Sequence, residues 1–190
     1  MRMSAPLFHS ESLTEPRVKT LQHLFFDELA NMYDAEHQFF KVLSKFAKTS
    51  TSKLLQEVIL YHTEETKGHI AKLEQVFACF DRKVRAKPSE TAIGLVLEAD
   101  QLEARFADSP ALNAALISIA QKIEHYEIAA YGCMHAWAER LGNHKAAEIL
   151  SDILDEEKAA DVSLTRVAHA RYNDEALAEC DTQQFASVGD

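Results

Sequence analysis

Eight side chains able to ligate a metal fall where core residues are expected. Glu36 interrupts the apolar line Phe25, Leu29, Met32, Phe39 and Leu43, and a second line, Leu55, Val58, Leu73 and Val76, carries His62, Glu65 and His69 in succession. Glu124 and Glu127 sit among Ile117, Ala120, Tyr131, Met134 and Leu141; Glu157 and Asp161 sit among Leu150, Ile153, Leu164 and Ala168. The three-to-four spacing of each line puts these groups on the same helix face as their apolar neighbours. An ionised carboxylate so placed is costly unless a cation compensates it. Oxygen-rich ligation with one or two imidazoles suits iron or manganese, with zinc left open. The competing reading is four merely amphipathic helices, with Glu36 and Glu127 hydrated at the stripe's edge.

The carboxylates also repeat. Glu64-Glu65-Thr66-Lys67-Gly68-His69 aligns with Glu156-Glu157-Lys158-Ala159-Ala160-Asp161, and Glu36 to Glu65 spans 29 residues where Glu127 to Glu157 spans 30. Two similar helical hairpins follow, and a pseudo-twofold pair predicts two metal ions rather than one. Gly68 and Ala160 match in this alignment and would let helices approach closely beside the site.

Long helices must position these groups, and the composition allows little else. Five Gly and four Pro in 190 residues are too few for the turns of a many-stranded fold, while 47% apolar content is enough to bury a core. Pro16 after Thr14 and Glu15 reads as a helix start, and the first helix ends at the polar run Lys48 to Ser52. The second runs to about Phe80. The basic stretch Arg82, Lys83, Arg85 and Lys87 reads as a solvated connection, after which Ser89 caps a shorter helix. Ser109 and Pro110 open the third long helix, closed by Gly142 and Asn143, and the fourth ends near Asn173. Four helices of roughly thirty residues, each about 45 Å long at about 1.5 Å per residue, with one long connection, make an all-α bundle with a single crossover. The expected divisions are residues 1–16 as an N-terminal segment, 17–173 as the helical domain and 174–190 as a loose tail.

A net charge of −10 argues against nucleic acid or an anionic membrane as partner. No apolar run is long enough to span a bilayer, and residues 1–16 lack a signal-peptide core, so a cytoplasmic protein is expected. Cys79, Cys133 and Cys180 form no CxxC pair; the first two read as small packing residues. No glycine-rich nucleotide loop is present, so no organic cofactor is implied.

Leu29 to Phe40, His62-Thr63-Glu64-Glu65-Thr66-Lys67-Gly68, Glu124-His125-Tyr126-Glu127-Ile128 and Asp155 to Asp161 resemble the bacterial YciF/YciE stress-response family over roughly residues 18–172. The resemblance implies a ferritin-like four-helix fold, a homodimer and a buried two-metal site. Against the pattern of rubrerythrin-like relatives, Glu124, Glu127 and Glu157 match, while Asp161 stands where a His would be. The Glu-x-x-His pairs usual in ferritin-like oxidases are absent. The family motif begins at His62, which is therefore favoured as ligand over His69, the fallback. His125 lies off the carboxylate line and reads as a surface or dimer-contact residue. Tyr131 reads as core packing, with a donor to the site as the alternative.

The expected ligand set is thus Glu36, His62, Glu65, Glu124, Glu127, Glu157 and Asp161 around two metal ions, iron first, with Glu65 and Glu157 bridging. The expected function is a dinuclear-metal stress-response protein that reacts with a small oxidant, peroxide or dioxygen. The alternative is a non-catalytic structural or metal-binding dimer. Iron storage in a many-subunit shell is the weaker third reading.

Overall fold

A computed structural model of the protein describes residues 18–174 together with 176 and 177. The expected helix start at Pro16 and the segment 1–16 lie outside the described residues. Helix α1 spans Leu21–Thr49, α2 Lys53–Cys79, α3 Glu90–Phe106, α4 Leu112–Arg140 and α5 His144–Val167. The bundle is therefore all-α, with four long helices and a shorter one in the crossover, as the periodicity predicts.

Side-chain caps set several boundaries. Ser52 Oγ accepts from the backbone N–H of Leu55 to open α2, Ser89 Oγ from Ala92 to open α3, and Asn143 Oδ1 from Ala146 to open α5. The α4–α5 turn is tight because Gly142 takes φ +76°, a region that favours glycine. Two expectations shift. Ser109 and Pro110 belong to a turn, with the Leu112 N–H donating to Ser109 O, and α4 starts at Leu112. The last helix passes through a π-helical turn at Ala168–Tyr172 and residues 174, 176 and 177 are still helical, beyond the expected end at 173; the rest of the tail lies outside the described residues.

In the bundle α1 packs on α2 and α4, and α5 packs on α2 and α4, so the four long helices form a ring. Asn113 at the start of α4 meets Ser50 at the end of α1, which makes α1 and α4 antiparallel. Asn143 at the start of α5 donates to Cys79 O at the end of α2, so that pair is antiparallel too. The crossover achieves this by returning α3 along α1 and α4. Its basic lead-in is pinned rather than merely solvated. The Lys87 N–H donates to Ala30 O at 3.0 Å, Lys87 Nζ reaches Asp27 at 2.5 Å, and the Arg82 guanidinium lies 4.6 Å from the Phe26 ring centroid.

Burial follows a heptad-like seam on the helices that carry the site. On α2 it runs Leu55, Ile59, His62, Thr66, His69, Leu73 and Val76, and on α5 Leu150, Ile153, Glu157, Ala160, Leu164 and Val167. Two packing expectations change. Gly68 is exposed and a Cβ there would meet nothing, so it permits no close helix approach; Cys133 is exposed rather than packed. Cys180 lies outside the described residues.

Candidate metal centre

Halfway along the bundle the seams of all four long helices bring polar groups together. Glu36 from α1, His62 and His69 from α2, Glu124 and Glu127 from α4 and Glu157 from α5 are all buried, the four carboxylates at no more than 1% exposure. They form two groups, Glu36–His69–Glu157 and His62–Glu124–Glu127–Glu157, and within each group the ligand atoms lie within 4.8 Å of one another. Glu157 belongs to both. An ion about 2.1 Å from each donor sets opposite ligands about 4.2 Å apart, so both groups have the span of a coordination sphere.

Hydrogen bonding does not account for this cluster. Both carboxylate oxygens of Glu124, Glu127 and Glu157, Oε2 of Glu36, both ring nitrogens of His62 and Nδ1 of His69 are buried without a hydrogen-bond partner of usable geometry. Native proteins leave few such groups, and here they converge on shared points. His62 Nε2 stands 3.1 Å from Glu124 Oε1 and 3.7 Å from Glu157 Oε2. His69 Nε2 contacts Glu156 Oε2 at 2.8 Å, and Lys72 Nζ donates to the same oxygen at 2.6 Å. A carboxylate only accepts, so Nε2 carries the proton and a neutral ring turns its Nδ1 lone pair inward. That lone pair would face Glu157 Oε1 at 2.9 Å and Glu36 Oε1 at 3.6 Å. Lone pair against carboxylate is repulsive, so a cation belongs between them, either a second proton on the ring or a metal ion. The outer Glu156 contact is the arrangement that orients a ligating histidine.

The protonation equilibria describe the same competition. Burial pushes the Glu36 carboxyl up to about 7, tempered by the neighbouring His69. Burial and the nearby Glu157 raise Glu124 and Glu127 well above the ordinary carboxyl value. Burial alone would raise Glu157 as well, but the His69 and His62 imidazoles outweigh it and hold its carboxyl low. Burial opposes charge on His69, yet Glu157, Glu36 and Glu156 outweigh it and push the imidazole up to about 9. Protons hold the cluster together where dications otherwise could. Four carboxylates with neutral imidazoles balance two dications in charge.

Of the expected ligands, Glu36, His62, Glu124, Glu127 and Glu157 come together, and His69, the fallback, joins them. Glu65 and Asp161 stand outside both groups. Glu65 is partly exposed at the rim, 3.7 Å from His62 Nδ1, and Asp161 faces the exposed His125 at 3.4 Å. The seam explains both positions. The sequence repeat pairs Glu65 with Glu157, but the place of Glu157 in the α5 seam corresponds to Thr66 on α2, and Ala160 rather than Asp161 holds the next inward position on α5. Thr66 spends its hydroxyl on His62 O. Tyr131 is a buried core residue whose hydroxyl donates to Glu36 Oε1, so the donor alternative is present as well. Glu156 and Lys72 join the site from outside the expected set; their signal in the sequence is the second acid of the Glu156-Glu157 pair, which the helix turns toward α2.

The family model described as "Domain of unknown function (DUF892)" matches residues 20–177. The chain belongs to the DUF892 family. This DUF892 protein is 37% identical over 160 residues to the protein YciF of Escherichia coli strain K12, covering 84% of this chain and 96% of that protein. The crystal structure of the E. coli stress protein YciF superposes with a TM-score of 0.76 at 38% identity, over 80% of this chain and 96% of that one. YcfI of Rhodopseudomonas palustris, a protein proposed to be structural, gives 0.77 at 37%, over 80% and 97%. A Xanthomonas campestris protein at 18% identity gives 0.64, over 87% and 99%, and shares the fold. The family resemblance read from the sequence is thereby established, and among the described residues of this DUF892 chain no helix is long and apolar enough to cross a membrane.

Proposed function

We propose that this DUF892 protein is a dinuclear-metal stress protein whose ions are held by Glu36, His69 and Glu157 on one side and His62, Glu124, Glu127 and Glu157 on the other. The observation that carries this reading is the set of buried carboxylate and imidazole atoms left without hydrogen bonds and converging on two points that share Glu157. The donor set is oxygen-rich with one imidazole per group, which suits iron or manganese, and zinc competes on affinity. When bound, such ions would supply one-electron chemistry toward peroxide or dioxygen. The chain's own residues shape that site: Tyr131 holds Glu36, and Glu156 fixes the His69 tautomer. A homodimer and a cytoplasmic location belong to the same proposal.

The competing reading is a structural protein, favoured by the role proposed for YcfI and by the lack of any electron-transfer motif such as CxxC in the sequence. Protein loaded anaerobically with Fe(II) decides between them. Peroxide consumption accompanied by iron oxidation, both lost in Glu157→Ala, is the expected result. Bound metal that neither oxidises nor consumes peroxide would favour the structural reading.

A further inference from the structure

Beside the carboxylate cluster the bundle is not filled. A cavity of about 440 Å³ opens between α2 and α5 and reaches His62 and Glu124 at its inner end. Its cause is visible in the seams. Ala120 on α4 precedes Glu124 by one turn, and Ala160 on α5 follows Glu157 by one turn; because α4 and α5 run antiparallel, both alanines fall at the same level, toward the α1–α2 turn. A close-packed bundle places large residues at such seam positions. Leu43, Val58, Ile59 and Leu164 line the space the alanines leave, so its walls are apolar. Leu54 and Tyr61 stand at its mouth, 48% and 70% exposed.

The inner end differs from the walls. His62 is 5% exposed, Glu124 is fully buried, and neither His62 nitrogen nor either Glu124 oxygen has a hydrogen-bond partner. An apolar chamber closed at one end by unpartnered polar groups has the form of a small-molecule site, and its volume lies within the roughly 300–1,000 Å³ usual for one. The charge around it selects further. Glu57 and Glu65 flank the chamber and the chain carries a net charge of −10, so an anionic ligand is repelled on its way in.

We propose that this cavity binds a small neutral organic molecule, an apolar aliphatic or single-ring aromatic body carrying one hydroxyl, with the hydroxyl directed toward the His62–Glu124 end of the cavity. The proposal rests on the metal-centre reading for the chemistry available at the inner end, and adds to it the class of compound that reaches the centre. The cavity lets such a molecule approach the His62 side of the cluster, while the His69 side stays behind Glu156 and Lys72.

The test uses the full chain and a neutral fluorophore, N-phenyl-1-naphthylamine, displaced by 1-octanol, with sodium octanoate as the anionic comparator. Fluorophore binding is expected, with displacement by 1-octanol at concentrations at least tenfold below those of octanoate. Ala160→Phe and, separately, Ala120→Phe should each weaken fluorophore binding at least tenfold. Far-UV circular dichroism and metal content of each variant verify that bundle and cluster survive. No fluorophore binding, equal displacement by octanoate, or unchanged binding in both folded variants would overturn the proposal. A further overturning result is binding that appears only when Leu54→Glu dissociates a dimer in light scattering, because the occupant of the mouth is then a second copy of the chain. Metal content separates the two claims. Metal bound without fluorophore binding defeats the cavity proposal alone, and fluorophore binding without metal defeats the metal-centre reading alone.

Discussion

Metal binding to the cluster must displace protons, and His69 and Glu36 set a lower bound on how many. At pH 7 His69, pushed up to about 9, carries its second proton almost fully, and Glu36, at about 7, is half protonated. Ligation requires the Nδ1 lone pair of His69 and the carboxylate form of Glu36, so these two groups alone release about 1.5 protons. Glu124 and Glu127, also raised, add to that figure. A release of at least about 1.5 protons corresponds to an affinity that rises at least about 30-fold per pH unit near neutrality. Calorimetric titration with Mn(II) at pH 7 in buffers of different ionisation enthalpy counts the protons directly, and a repeat at pH 6 and pH 8 gives the slope. Surface carboxylates are already ionised at pH 7 and would release none. Heats independent of buffer, with an affinity flat between pH 6 and 8, would refute the buried cluster as the binding site.

Several other outcomes follow from the same geometry. Without metal, folding stability should fall as pH rises from about 6 to 9, because the folded state binds protons on Glu36, Glu124, Glu127 and His69 that the unfolded chain has lost, and thermal melts with and without Mn(II) should diverge most at high pH. His69→Ala should remove one ion per chain while Glu65→Ala retains both, measured by elemental analysis; the reverse would restore Glu65 as ligand in place of His69. Glu156→Gln should lower metal affinity by about 10- to 100-fold without changing stoichiometry, since it orients a ligand rather than supplying one. Asn143→Ala loses both the α5 cap and the bond to Cys79 O, a cost of about 1–2 kcal/mol that thermal melting should show as a drop of roughly 2–8 °C.

The bundle was legible because each long helix carries its apolar residues at helical spacing and the connections are marked by Ser52, Ser89 and Asn143, whose side chains do cap. Most of the cluster was legible for the same reason, since a carboxylate on an apolar line has no other inward direction. The exceptions turn on helical phase. Glu65 lies three residues from His62 and four from His69, so spacing alone admits it to the stripe. Only packing shows that the seam steps through Thr66 and leaves Glu65 at the rim. The choice between His62 and His69 dissolved for a related reason: they are seven apart, two turns on one face, and the surrounding helices supply carboxylates at both levels, Glu124 beside His62 and Glu157 beside His69. Glu156 shows in the sequence only as the second acid of the Glu156-Glu157 pair; its contact with His69 depends on which helix lies beside it, and the sequence of α5 does not contain that information.

Glu157 belongs to both groups and, on the proposed function, would serve two metal ions. Elemental analysis of protein loaded anaerobically with Fe(II) and freed of loosely held metal measures this most directly, on wild type and on Glu157→Ala whose fold is verified by circular dichroism. Two ions per chain are expected in wild type and at most one, weakly held, in Glu157→Ala. No metal in the wild type, or two ions retained by Glu157→Ala, would contradict it.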